Sequence, residues 1–296
     1  MIAFASNSLL CRAALKQTNI DAATFTSVRI FSGAFALWLL INIRRTAIAN
    51  RTTTSLVETF SGSTLVTHHF SLRDGTWSSA FALFVYAAAF SFAYVALSAG
   101  IGALLLFGAV QATMILWGLH KGERLNTIQI VGFIIAMTGL IVLVFPGLSA
   151  PPLTGSILML GAGVAWGIYS LRGKGERNPA RATTGNFVRA VPFAAALSII
   201  FGPCTHVDLA GIIYAIISGA VTSGLGYVIW YSALSGLKAA SAATVQLSVP
   251  VLAATGGILL LGEPITLRYV LASVAVLGGI ALVVVIPPSQ RTLSKR

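Results

Sequence analysis

Two stretches decide the fold: GERLNTIQIVGFIIAMTGLIVLVF at 122–145 and GEPITLRYVLASVAVLGGIALVVV at 262–285. Each opens on a Gly-Glu turn and then runs as an almost uninterrupted apolar segment, with Gly139 and Gly279 at equivalent places, at a constant offset of 140 residues. A run of about 20 apolar residues is long enough to cross a hydrocarbon core of about 30 Å as a helix. Neither stretch alternates with a period of two, so a membrane barrel is set aside. A helix is then the way for the backbone to satisfy its own polar groups in lipid. The fixed offset marks an internal repeat.

The repeat extends outward from these stretches. Tyr94-Val-Ala96-Leu97-Ser98 matches Tyr231-Ser-Ala233-Leu234-Ser235 at an offset of 137, and Arg12 and Arg29 match Arg172 and Arg189 at 160. The same features in the same order, with drifting offsets, indicate duplication with insertions. Hydropathy then gives spans at 1–15, 22–43, 77–97, 99–119 and 126–145, followed by 154–171, 183–202, 209–232, 238–261 and 266–286. The break near Ser98 is weak on hydropathy, and the repeat fixes it. The chain therefore reads as an all-α polytopic membrane protein of about ten transmembrane helices in two five-helix repeats, 1–145 and 154–286, with a basic tail at 287–296. The first span starts at Met1, later than its partner does relative to the matched arginine, which predicts a first helix without its opening residues. A Ser- and Thr-rich segment at 46–76 reads as a long cytoplasmic loop, partly helical.

Five spans per half is an odd number, so the second repeat enters the bilayer inverted. The distribution of basic residues tests this, because cytoplasmic loops carry the excess of Lys and Arg. With both termini cytoplasmic in an inner (plasma) membrane, fourteen of the nineteen Lys and Arg fall inside and three outside. The other two, Arg29 and Arg189, lie within spans.

Composition agrees. Hydrophobic residues make up 56% of the 296 residues and charged residues 9%, with a mean hydropathy of +0.89. A soluble domain carries roughly a quarter of its residues charged. The net charge of +12 sits between apolar runs and forms no patch, which argues against a nucleic-acid partner. Cys11 and Cys204 form no CxxC and indicate neither a disulfide framework nor a thiolate metal site. No cofactor is expected, and the expected partners are a small-molecule substrate and the lipid bilayer, with a monomer as the unit.

Two inverted halves place a cavity at their interface near the midplane, and rocking one half on the other exposes it to each side in turn. Tyr94 to Phe145 and Tyr231 to Val285 also resemble the EamA domain of the drug/metabolite transporter superfamily. The Tyr-x-Ala-Leu-Ser segments, the Gly-Glu turns, Ala165-Trp166-Gly167 and the paired Arg29 and Arg189 carry the resemblance, which spans nearly the whole chain. It implies ten helices in an inverted five-plus-five arrangement and, commonly, export of amino acids or other metabolites.

The expected function is therefore secondary transport of small metabolites, foremost the export of neutral or aromatic amino acids. The alternative is a carrier of an anionic metabolite that uses the intramembrane arginines. Distant alternatives are a channel or an intramembrane enzyme. The enzyme would need a nucleophile with its base, and the four histidines lie in predicted loops or at span ends. All seven Asp and Glu fall in loops or at span ends as well. Proton-coupled pumps place a carboxylate at midplane depth, where the first span has Ser6, Asn7 and Ser8, so carboxylate-mediated proton antiport is not expected.

Candidate binding residues follow from polarity and aromaticity inside spans. Arg29 and Arg189 are intramembrane charges that need a partner or a wet cavity. Each reads either as an anion receptor or as a structural group bound to backbone carbonyls, and symmetry favours the structural role. Asn7, Gln111, Asn186 and Gln246 can hydrogen-bond substrate or join helices. Trp166 and Tyr227 are the expected cavity aromatics of the second half. Tyr86 and Phe90, four residues apart on one helix face, are their counterparts in the first. Gly163-x-x-x-Gly167 and Gly219-x-x-x-Ser223 read as close helix contacts.

Overall fold

A computed structural model describes residues 1–56, 74–122, 124–147, 150–174, 176, 178–202, 205–234 and 245–285, with the side chains of 44–56, 234 and 285 excepted. Residues 57–73 of the long loop, Glu123, Cys204, Lys238 with the opening of the ninth span, and the basic tail lie outside the described residues. Among the described residues the chain is all helical, in ten helices. These are α1 (Ile2–Gln17), α2 (Ala22–Leu56), α3 (Trp77–Tyr94), α4 (Ala99–His120), α5 (Thr127–Val144), α6 (Leu153–Gly173), α7 (Pro179–Phe201), α8 (Leu209–Leu234), α9 (Ser248–Leu261) and α10 (Leu267–Val285). Eight contain a stretch long and apolar enough to cross a membrane; α1, with 16 residues, and α9, with 14, are shorter. The protein is a multi-pass membrane protein.

Local chemistry sets the helix ends. Thr76 caps α3, its hydroxyl accepting from the Ser79 amide at 3.2 Å. Asn126 and Gln129 form a reciprocal capping box at the start of α5, which satisfies two amides that have no intrahelical acceptor. α9 closes on Gly262 in the left-handed region, at φ +61, where a side chain would be strained. α2 runs on to Leu56, past the span end at 43, because residues 44–56 contain neither Gly nor Pro to stop it.

The two stretches that open the sequence argument pack against each other as α5 and α10. Their glycines make the approach close. A Cβ on Gly132 would meet the Gly279 carbonyl oxygen at 2.6 Å, and one on Gly139 would meet Ala275 Cβ at 2.8 Å. The Gln129 amide also donates to the Val283 carbonyl at 3.0 Å. The other helix contacts come in matched sets: α2 packs on α7, α3 on α6 and α7, and α1 and α2 on α8, while α4 packs on α6 and α1 on α9. The glycine pairs act as read. Gly163 lies against the Leu106 carbonyl of α4 and Gly219 against the Arg29 carbonyl of α2.

Polar ties sort the loops into two groups at opposite ends of the bundle. At one end Arg12 of α1 pairs with Glu263 at 3.1 Å and donates to the Tyr94 and Val95 carbonyls at 2.8 and 3.0 Å. Glu263 in turn accepts the Ala99 amide at 2.8 Å, capping α4. Lys16 donates to the Leu261 carbonyl, the Asn19 amide to Asp208, and the His206 amide to Asp21. Burial pushes the Asp21 carboxyl up, but hydrogen bonds from Thr24, His206 and Ala23 outweigh it and hold the pKa below the usual value. Its stabilisation of this end is thus present above the ordinary carboxylate range and is lost as pH falls through the lowered pKa.

At the other end Arg172 of α6 donates to Ser79 at 3.0 Å and Ser78 at 2.5 Å. The Thr76 amide donates to Asn186 at 2.9 Å. Most of these ties join a residue of 1–145 to one of 154–286.

Candidate functional site

α1, α2, α3, α6 and α8 meet around a buried cluster of polar and aromatic side chains. Its centre is Arg29, 2% exposed. Nε donates to Ser223 Oγ at 3.1 Å, and Nη2 donates to the hydroxyls of Tyr86 at 3.2 Å and Tyr227 at 3.3 Å. The guanidinium also lies over the rings of Phe90, at 4.9 Å, and Tyr86, at 5.3 Å. Such stacking stabilises a cation withdrawn from water. Nη1 has no hydrogen-bond partner, and among the described residues no carboxylate lies within salt-bridge distance of Arg29.

Asn7 extends the network into α1. Its amide nitrogen donates to the Tyr86 hydroxyl at 3.2 Å, and its carbonyl oxygen accepts from Ser218 at 2.6 Å and Thr222 at 3.2 Å. Tyr227 donates to Tyr86 as well, at 3.3 Å. Three donors from three helices therefore converge on one phenol oxygen. Asn7→Ala removes both sides of this link, and with interhelical hydrogen bonds worth about 0.6 and at most about 1.7 kcal/mol each, the loss of stability is expected to be about 1–2 kcal/mol. A thermal unfolding midpoint in detergent unchanged from wild type would contradict that.

Aromatic rings wall the cluster. Trp166 packs on Tyr86 at 4.9 Å and on Tyr227 at 4.6 Å, and Phe4 lies 5.8 Å from both Trp166 and Tyr227. Tyr169 continues the wall from Trp166 toward Tyr231. Rings of this kind accept an aromatic or aliphatic side chain, and the hydroxyls and amides between them orient a polar head.

The backbone of α8 departs from the regular helix beside this cluster. Ser218–Leu225 is a π-helical segment, a form that occurs mostly as short bulges, often at functional sites. It carries Ser218, Thr222 and Ser223, all of which bond into the cluster. Sequence reading missed these three as site residues. Their signal was a run of hydroxyls spaced four and five residues apart in an otherwise apolar helix.

Other predicted residues lie elsewhere. Arg189 is half-buried near one end of the bundle, where it donates to the Asp74 carbonyl and, at 3.1 Å, to the Gly185 carbonyl, with Trp77 beside it. Asn186 sits in the same region and donates to the Tyr169 hydroxyl at 3.4 Å. With Thr76, Arg172 and Thr183 it lines a small polar cleft. Gln111 donates to Gln246 at 3.2 Å, joining α4 to the residues just before α9. A second groove, among α4, α5 and α6, is lined almost entirely by carbon, including Leu116, Met137, Leu140 and Val164. It suits an acyl chain rather than a polar metabolite.

Against this geometry, known proteins fall into place. The model of a family described as the EamA-like transporter family matches residues 153–285. An uncharacterized protein of Pseudomonas aeruginosa is 54% identical, over 96% of this chain and 91% of its own length. A threonine/homoserine exporter of Salmonella typhimurium is 31% identical over 43% of each chain. One crystal structure superposes with a TM-score of 0.61 at 15% identity, covering 96% of both chains, a likeness of fold alone.

Proposed function

The chain belongs to the EamA-like transporter family, and on that premise we propose that it exports small neutral amino acids, aromatic ones included, across the inner membrane. The buried cluster between the two sets of helices carries this reading. It combines apolar rings with hydrogen-bonding groups, as small-molecule sites do, and the helices that build it come from both halves.

In this reading 1–145 and 154–286 are inverted repeats that rock against each other, and both termini face the cytoplasm. The matched helix contacts and the sorting of polar ties to two ends support the inversion. The side chains of the cluster are buried, as those of an occluded intermediate of alternating access would be. The relative named as a threonine/homoserine exporter supports the substrate class, since both compounds are neutral amino acids with short polar side chains. A multiply charged anion fits less well. The cluster offers one guanidinium, and Arg189 is turned to backbone carbonyls away from it.

Counterflow in liposomes tests the proposal. Labelled threonine, homoserine, phenylalanine and tyrosine are expected to enter saturably and faster when the unlabelled compound is trapped inside. Uptake no greater than into empty liposomes for every amino acid tried would sink the amino-acid reading. Imposing a pH gradient is expected to leave counterflow within about twofold, because among the described residues no carboxylate or imidazole bonds into the cluster.

A further inference from the structure

The hydrogen-bond inventory at Arg29 does not balance. The guanidinium has five N–H donors and no acceptor. Its Nη1 is buried without a partner, and a buried charged donor left unsatisfied carries the full cost of its lost hydration. The neighbouring oxygen is oversubscribed: the Tyr86 phenol has two lone pairs, yet Asn7, Arg29 and Tyr227 all donate to it. The Asn7 carbonyl, another acceptor in the cluster, is already taken by Ser218 and Thr222. Donors exceed acceptors, and the net charge is positive. What completes such a site is a compact anion with several lone pairs.

We propose that Arg29 is the receptor for the carboxylate of the transported molecule, held by the guanidinium with the Tyr86 hydroxyl of the same half. A carboxylate presents two oxygens and about four lone-pair sites, and it matches the planar guanidinium bidentately. The placement of the partners makes the site conditional on movement. Arg29 and Tyr86 belong to 1–145, whereas Ser223 and Tyr227 belong to 154–286. When the halves part, Nε and Nη2 lose Ser223 and Tyr227 and join Nη1 as free donors. The carboxylate then takes the place of the second half's hydroxyls, so substrate and closure compete for one guanidinium edge. The rings of Phe90 and Trp166 are left for the remainder of the molecule. Arg189, its sequence partner, has its guanidinium on the carbonyls of Asp74 and Gly185 and no role in this step.

This rests on the carrier reading, and its test separates the two. A ligand that binds the folded state raises its thermal midpoint, so protection of the detergent-solubilised protein against thermal unfolding reports occupancy without requiring transport. The probes are phenylalanine and threonine, their amides, phenethylamine, and benzoate, each also tried in counterflow. The acids are expected to protect at concentrations about ten- to a hundredfold lower than the matched amides and amine, the range of one charge-assisted hydrogen bond. Arg29→Lys is expected to keep weakened protection, and Arg29→Gln to lose the preference for the acid. Equal protection by acid and amide in the wild-type protein, or protection by no carboxylate, overturns the assignment whether or not the variants fold. Acid-selective protection without counterflow would keep the carboxylate site and sink the carrier.

Discussion

Gly219→Val is expected to leave little folded protein. α2 and α8 approach so closely that a Cβ on Gly219 would lie 2.1 Å from both the Arg29 carbonyl oxygen and Ser32 Oγ. The first obstacle is backbone, which no rotamer change relieves. The helices must part, and parting them pulls Ser223 from Arg29 and opens the cluster. Overpacking at a tight contact costs roughly 1–3 kcal/mol, occasionally more, and this site is expected at or above about 3 kcal/mol. Gly278 and Gly161 supply the comparison, because an added Cβ there meets nothing within 4 Å. Gly161→Ala is expected to be neutral or slightly stabilising, since Gly costs about 1 kcal/mol relative to Ala inside a helix. Monodispersity on size exclusion and the thermal midpoint in detergent measure both. Equal midpoints for Gly219→Val and Gly278→Val would remove the close contact from the account.

Arg12→Leu is expected to be the second severe change. Glu263 has its side chain only 6% exposed and Arg12 14%, so removing the guanidinium strands a carboxylate out of water. Breaking a buried pair from one side costs about 3–5 kcal/mol, and the carbonyls of Tyr94 and Val95 lose their donor at the same time. Glu263→Gln is expected to be milder. The amide oxygen can still accept from Ala99, and Arg12 keeps its two carbonyls, so about 1–2 kcal/mol is the expected loss. The double variant Arg12→Leu/Glu263→Leu is expected to be more stable than Arg12→Leu alone, because no stranded charge remains. Strict additivity of the two single losses would show that the pair is not coupled. Because this tie joins 1–145 to 154–286 at one end only, the Gln variant is also expected to raise the reactivity of a cysteine introduced at that end, with the opposite end unchanged.

The two repeat stretches could be read as helices without coordinates, since length, apolarity and the Gly-Glu turns leave lipid-spanning helices as the outcome. Gly139 and Gly279 could be singled out by their equal spacing. That they are the surfaces on which α5 and α10 meet is a matter of packing. The turn residue Glu263 was legible as a repeat marker and nothing more. Its work, pairing with Arg12 and capping α4, joins residues 251 and 164 positions apart in the chain, which no local pattern encodes.

Asn7, Tyr86, Phe90, Trp166 and Tyr227 were candidates on polarity and aromaticity alone, and the structure brings all five together around Arg29. Gln111 and Gln246 were chosen by the same rule and bond to each other instead, because a polar group in an apolar helix reveals its need for a partner but not which partner. The sequence by itself determined the helices and the shortage of intramembrane charge, both of which follow from local composition and spacing. It presented Arg29 and Arg189 as equivalents. Only the tertiary structure decided between them, since burial depends on which helices surround a side chain. α1, α3, α6 and α8 close over Arg29, while Arg189 sits near an end where backbone carbonyls are within reach.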